Sequence, residues 1–201
     1  MAGFSQIVRH LSLALPAHPK PGRRPVRNAP FACEITVRMR AELKAWQTQL
    51  GMTFVHVTHS QEEAMALADL VVVTNQGRIE QQGTPHAVFN APSSEFVARF
   101  MGGHNVIPMG HGQGLVAVRA DKTRLARIAT NAAQPTPQTS LSATVRGVEY
   151  QGSHVLLTLA CTAVPEFIVM LPEAEFDAAP WQAGESACAH WAEADMHPLA
   201  A

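Results

Sequence analysis

Residues 53–74 read TFVHVTHSQEEAMALADLVVVT, and the two changes of texture inside this stretch decide what kind of fold the chain has. Thr53–Val57 is short, β-branched and aromatic and follows Gly51, so it predicts a strand buried on at least one face. Ser60, with Glu63 three residues on, matches a capping box, in which the hydroxyl takes one orphan backbone N–H and the carboxylate reaches back to another. The helix begun there runs through Ala64, Met65, Leu67 and Ala68 to Asp69, and Leu70–Thr74 then returns to an apolar, β-branched strand. Strand, helix, strand is α/β texture. His59 stands at the first junction, just beyond a strand end, where open α/β sheets bind ligands.

Upstream, Met39, Leu43, Trp46 and Leu50 fall at the spacing of one helical face, with Glu42, Lys44 and Gln47 among the polar positions between them, and Gly51 stops the helix. Downstream, Asn75-Gln76-Gly77 supplies turn residues and Arg78–Gln82 a hairpin partner. Thr84-Pro85 caps a short helix, and Glu95–Met101 forms another, closed by Gly102-Gly103. Beyond Asn105 helical spacing gives way to short alternating runs at Leu115–Arg119, Ala143–Glu149, Val155–Leu159 and Phe167–Leu171, with a long loop at Ala129–Ser140 and a hairpin marked by Gly152. This half reads as all-β, a small barrel of the oligomer-binding type, with the domain boundary between Gly103 and Gly114.

The chain has 201 residues, 47% of them hydrophobic and 15% charged, enough for one domain or two small ones with a real core. No apolar run approaches the ~20 residues that span a bilayer. Cys33, Cys161 and Cys188 form no C-x-x-C pair, which argues against a disulfide framework and a zinc knuckle and for a reduced cytosolic protein. The ten histidines are scattered, with no metal-ligand spacing. Charge is uneven: residues 1–33 hold Arg9, Lys20, Arg23, Arg24 and Arg27 and no acid, and the remainder holds ten basic and sixteen acidic residues. Five prolines spoil an amphipathic helix in this opening segment, so residues 1–34 are expected to be disordered, basic and proline-rich.

Residues 53–107, TFVHVTHSQEEAMALADLVVVTNQGRIEQQGTPHAVFNAPSSEFVARFMGGHNVI, resemble the last part of the ATP-binding subunit of an ABC importer of the spermidine/putrescine type. A strand ending in Thr-His, the Gln-Glu-Glu-Ala helix start, the apolar strand after Ala-Asp, then Gly-Arg-Ile, Gly-Thr-Pro and Phe-Val-Ala-x-Phe-x-Gly-x-x-Asn recur in the family's order. The helix from Val37 to Leu50 fits as well. Residues 114–199 resemble the TOBE domain that follows such ATPases, with VEYQGS and HWAEADMHPL as the best marks, so the resemblance covers about four-fifths of the chain. It implies an α/β fragment of a P-loop NTPase ABC domain over residues 35–107 and an all-β OB-like TOBE barrel over residues 108–201. It also implies that His59 is the switch histidine, which hydrogen-bonds the γ-phosphate and helps order the attacking water. The family more often has Asp where this chain has Ser60, and both residues cap a helix.

ATP is held by G-x-x-x-x-G-K-[ST], whose amides and lysine neutralise the phosphates while the hydroxyl reaches magnesium. The three lysines here, Lys20, Lys44 and Lys122, follow Pro19, Leu43 and Asp121. No strand ends in Asp-Glu, and no Leu-Ser-Gly-Gly-Gln signature occurs. The cluster Met109–Gly114 opens onto a strand and reads as a linker. One hydrogen bond to a charged group gives roughly 1.5–3 kcal/mol against the ~8 that micromolar binding needs, so His59 alone cannot retain ATP. The expectation is a truncated ATP-binding subunit of an import system with no cofactor of its own, ATP and Mg belonging to the complete family. Its partners would be a second copy, a complete ABC ATPase subunit and the membrane permease subunits, with no nucleic acid, and its place the cytoplasmic face of the plasma membrane. One alternative is a TOBE-type regulatory, dimerising or small-solute-binding module; another is a gene remnant whose first residues come from an altered frame. Because strands such as Leu70–Val73 suit a sheet covered on both faces, an exposed apolar patch is expected around Val55, Val57, Val71 and Val73.

Overall fold

The structure is a computed structural model and describes residues 10–14, 29–109, 114–127 and 139–200; the cluster at Gly110–Gln113 and most of the expected loop at Ala129–Ser140 lie outside them. Contacts divide the chain into two units, Met1–Ala91 and Pro92–Ala201.

The first unit is built from β1 (His10–Ala14), α1 (Ala29–Leu50), β2 (Phe54–Thr58), α2 (Gln61–Leu67), β3 (Leu70–Asn75), β4 (Arg78–Gly83) and α3 (Pro85–Asn90). Its sheet has the order β2-β1-β3-β4, with β1 parallel to both neighbours and β4 antiparallel to β3. The segment expected to lack structure thus contributes β1, between β2 and β3, and the first turns of α1. Asn75 and Arg78 pair across a two-residue turn in which Gln76 and Gly77 both take positive φ, 48° and 77°, the left-handed pair that matches strand twist in a tight hairpin.

The expected apolar patch divides along the pleat. Ser12 is level with both His56 and Val71, and Ala14 with both Thr58 and Val73, so Val71 and Val73 share a face with His56 and Thr58 and are fully buried. Val55 and Val57 point the other way and stay 66% and 56% exposed. Helix α1 ends at Leu50, and Gly51 follows at φ 62°, but the helix is turned about from its apolar pattern. Trp46 and Leu50 are 54% and 64% exposed and Met39 is exposed, whereas Gln47 is 1% exposed. What fixes this orientation is polar. Lys44 donates from Nζ to the Asp69 carboxylate at 2.7 Å and to the Leu67 carbonyl at 3.1 Å, placing a cation on the C-terminal carbonyls of α2.

The second unit comprises α4 (Glu95–Met101), β5 (His104–Pro108), β6 (Leu115–Arg119), β7 (Arg124–Arg127), β8 (Ser140–Tyr150), β9 (His154–Ala160), β10 (Phe167–Pro172), α5 (Glu173–Ala178), β11 (Ser186–His190) and β12 (Met196–Leu199), with short 3₁₀ turns at Ala120–Lys122 and Glu193–Asp195. Helix α4 belongs here because Ala98 packs with Val106, Ala117 and Leu199. The barrel expected for this half is not formed. There are two open antiparallel sheets, β10-β9-β8-β11-β7 and β12-β6-β5, which share one apolar cluster including Val116, Val118, Val145, Leu157, Phe167 and Trp191. A closed barrel would need a backbone ladder where the edges β5 and β10 approach. Instead one side chain spans them: Asn105 donates from Nδ2 to the Ile168 carbonyl and accepts the Ile168 N–H at Oδ1, both at 2.7 Å. The second unit is therefore a pair of open sheets, and the whole chain is a mixed α/β fold.

Two substitutions test these assignments. Asn105→Ala strands a partly buried N–H and C=O, and is expected to cost about 2–4 kcal/mol in the urea unfolding of the second unit, followed by the near-ultraviolet circular dichroism of Trp181 and Trp191. The amide nitrogen of Gln47 is buried with no hydrogen bond, so Gln47→Leu is expected to stabilise the first unit by about 1–2 kcal/mol, seen as slower amide exchange across residues 39–67.

Candidate functional site

His59 lies in a bend directly after β2, exposed to solvent. Its surroundings explain how so short a junction is held. Ser60 is the N-cap of α2: its hydroxyl accepts the Glu63 N–H at 3.3 Å and its carbonyl accepts the Ala64 N–H at 3.2 Å. The first arm of the capping box is therefore made as the spacing requires. The second arm takes a detour. The Ser60 N–H goes to the Thr58 hydroxyl oxygen at 3.0 Å, and that hydroxyl donates to Glu63 Oε2 at 2.8 Å. Thr58 thus relays what a capping-box glutamate ordinarily does directly. Residues 58 and 60 are tied on either side of His59, which fixes the backbone carrying the imidazole.

His56 Nε2 is 3.5 Å from the same Glu63 oxygen. The Thr58 hydroxyl foremost, with His56 and Arg40 adding to it, holds the Glu63 carboxyl below the usual glutamate range against the opposing pull of partial burial. Thr58, Glu63 and His56 were not singled out as site residues from the sequence. The signal was a threonine two residues before the cap, whose hydroxyl can meet an N–H two positions on.

ATP and magnesium do not fit on these residues alone. The Glu63 and Ala64 amides at the start of α2 are turned to Ser60, and its first turn carries Glu62 and Glu63, whose two carboxylates oppose a triphosphate. The second unit carries an open cleft of about 400 Å³ lined by Ser142, Thr144, Cys161, Thr162 and Ser186 with Ala143 and Ala160. Ser186 is level with Thr144 on adjacent strands. Its lining offers hydroxyls and no charge, which does not suit a polycation. The Cys161 thiol donates to the Val164 carbonyl, and burial pushes the Cys188 thiol up, so neither is primed as a nucleophile. Among the described residues no three His, Cys, Asp or Glu side chains gather as metal ligands, and no helix is long and apolar enough to cross a membrane.

The relay makes a specific demand. Thr58→Val is expected to speed exchange of the Ser60 amide by roughly ten- to thirtyfold, the loss of one net hydrogen bond. Because the Glu63 pKa is depressed in the folded state, its contribution is present above the ordinary glutamate value. It is lost as pH falls through the lowered one, so Ser60 protection should decline only below the ordinary glutamate range. Protection factors measured on either side of that range in wild type and Glu63→Gln check the sign, since the variant should lack the step.

Comparison with known proteins agrees with this architecture. Residues 116–199 match the model of the TOBE domain. The spermidine/putrescine import ATP-binding protein PotA of Bacillus thuringiensis (strain Al Hakam) is 34% identical over 157 residues, covering 78% of this chain and 46% of that protein. The protein of the same name from Nitratidesulfovibrio vulgaris is 51% identical over 82 residues, 39% of this chain and 22% of that one. Among solved structures, a molybdate-bound form of the cytoplasmic molybdate-binding protein ModG aligns at 18% identity with a TM-score of 0.37, over 43% of this chain and 61% of that one, a likeness too slight to carry an argument. The chain is thus a TOBE-domain-containing homologue of the PotA-type ATP-binding proteins of spermidine/putrescine import, and it spans about half of their length.

Proposed function

We infer that the chain serves a polyamine-type ABC importer as the TOBE-bearing part of its ATP-binding subunit, and that His59 acts on the terminal phosphate only when another polypeptide supplies the phosphate-binding loop, the magnesium carboxylates and the signature. The observation that carries this reading is the exposed imidazole at the C-terminal tip of β2, with its backbone pinned on both sides by Thr58 and Ser60. A histidine there offers one hydrogen bond in a fixed direction. A group so placed adds little to retention of a nucleotide and can add much to the geometry of a reaction around it. The work of binding then falls to the partner, a complete ATP-binding subunit, and the location is the inner face of the membrane beside the permease subunits.

Titration of the purified chain with MgATP is expected to give no saturable binding below about 1 mM, the affinity that ~4 kcal/mol supports; submicromolar binding would overturn the reading. A PotA-type subunit whose own histidine of the Thr-His pair is replaced by alanine should regain hydrolysis when mixed with the wild-type chain. It should not regain it with His59→Ala, and equal rescue by both would remove His59 from the mechanism.

A further inference from the structure

The last residue of β2 is a threonine where packing alone would accept a valine. Thr58 shares its face of the sheet with Val71 and Val73 and is buried as they are, and a hydroxyl so placed costs free energy unless it is hydrogen-bonded. Starting α2 does not account for it. The Ser60 hydroxyl already takes the Glu63 N–H and the Ser60 carbonyl the Ala64 N–H. What the Thr58 hydroxyl adds is a hold on His59, the residue between strand and cap.

We propose that Thr58, oriented by Glu63, is a positioning residue for His59, and that it governs how fast the assembled ATPase turns over and not how tightly it binds nucleotide. This role rests on His59 acting on a terminal phosphate beside a partner polypeptide.

The geometry supplies both halves of the hold. Thr58 is level with Ala14 in the β1–β2 ladder, which fixes the peptide before His59. The peptide after it carries the Ser60 N–H, and the Thr58 hydroxyl oxygen accepts that N–H at 3.0 Å. With both flanking peptides held, the imidazole swings only about its own side-chain torsions. Glu63 sets the direction of the hydroxyl. An ionised carboxylate only accepts, so Glu63 Oε2 takes the Thr58 proton at 2.8 Å and leaves the oxygen lone pairs to Ser60. A charge-assisted bond of this kind is roughly twice as strong as a neutral one. Thr58 touches no nucleotide in this scheme. Its effect reaches the reaction through the placement of the imidazole, where a small displacement costs rate.

The mixture of this chain with a PotA-type subunit lacking its own histidine of the Thr-His pair tests the proposal. With Thr58→Val, kcat is expected to fall about ten- to hundredfold while KM for ATP stays within about twofold, the mark of an interaction felt only in the transition state. Thr58→Ser, which restores the hydroxyl, should regain most of the rate. In the chain alone, nitrogen-15 order parameters of the His59 and Ser60 amides should drop from about 0.85 to about 0.6 in Thr58→Val and hold in Thr58→Ser. Protection of the Ala68 amide, bonded to the Ala64 carbonyl, should be unchanged in both variants. Unaltered kcat or unaltered order in Thr58→Val would overturn the role of Thr58. So would loss of Ala68 protection, which would make the residue a support for α2, or a serine variant as slow as the valine one. A wild-type chain that rescues nothing is a different failure: it removes His59 from the reaction, whatever Thr58 does to the backbone.

Discussion

The second unit depends on one amide. Asn105, at the edge of the three-stranded sheet, presents to Ile168 the donor and acceptor that a neighbouring strand residue would present. It thereby satisfies the outer edge of β10 at one position without committing the two sheets to a shared ladder. An exposed edge is a template for unwanted pairing, and a side chain that imitates backbone blunts it locally. The apolar cluster beneath provides most of the burial, with Phe167 and Trp191 stacked at a centroid distance of 5.7 Å. Burial alone does not choose between closed and open sheets. The directional bonds of Asn105 set the edge-to-edge relation that the core then fills.

The first unit is governed by polar contacts in the same way. Lys44 reads the end of α2 and Thr58 reads its beginning, so a helix of only seven residues is gripped at both ends. Short helices are marginal unless packing and caps support them. The grip on α2 in turn fixes the strand tip that carries His59. It also fixes the orientation of α1, whose charged side is needed inward. The apolar stripe left outside is a consequence of that choice, since one helix face cannot serve both neighbours.

Much of this was legible in the sequence. The strand–helix–strand run of residues 53–74, the Gln76-Gly77 turn, the caps at Ser60 and Thr84 and the alternating strands of the second half all follow from local rules, and local rules hold where neighbours in space are neighbours in sequence. Three features escaped. β1 lies in a segment whose prolines and arginines hide the five-residue HLSLA, and its role comes from partners far along the chain. The facing of α1 was not read, because periodicity identifies a stripe and not the side it turns to. The barrel was inferred from strand spacing, and spacing carries no information about which edges meet. At the site, His59 was found through family resemblance, whereas the Thr58 relay required coordinates, since the Ser60–Glu63 spacing is equally compatible with a direct bond.

The position of β1 has a kinetic consequence. His10 pairs with Phe54 and Leu11 with Leu70, so the centre of the first sheet is its most non-local part, and the entropy of closing long loops must be met before either ladder forms. The β3–β4 hairpin assembles on its own within microseconds; the amino-terminal strand must then thread between partners already standing apart. Until it arrives, the gap is open to the same strand from any neighbouring molecule, which makes those five residues the natural element for domain swapping.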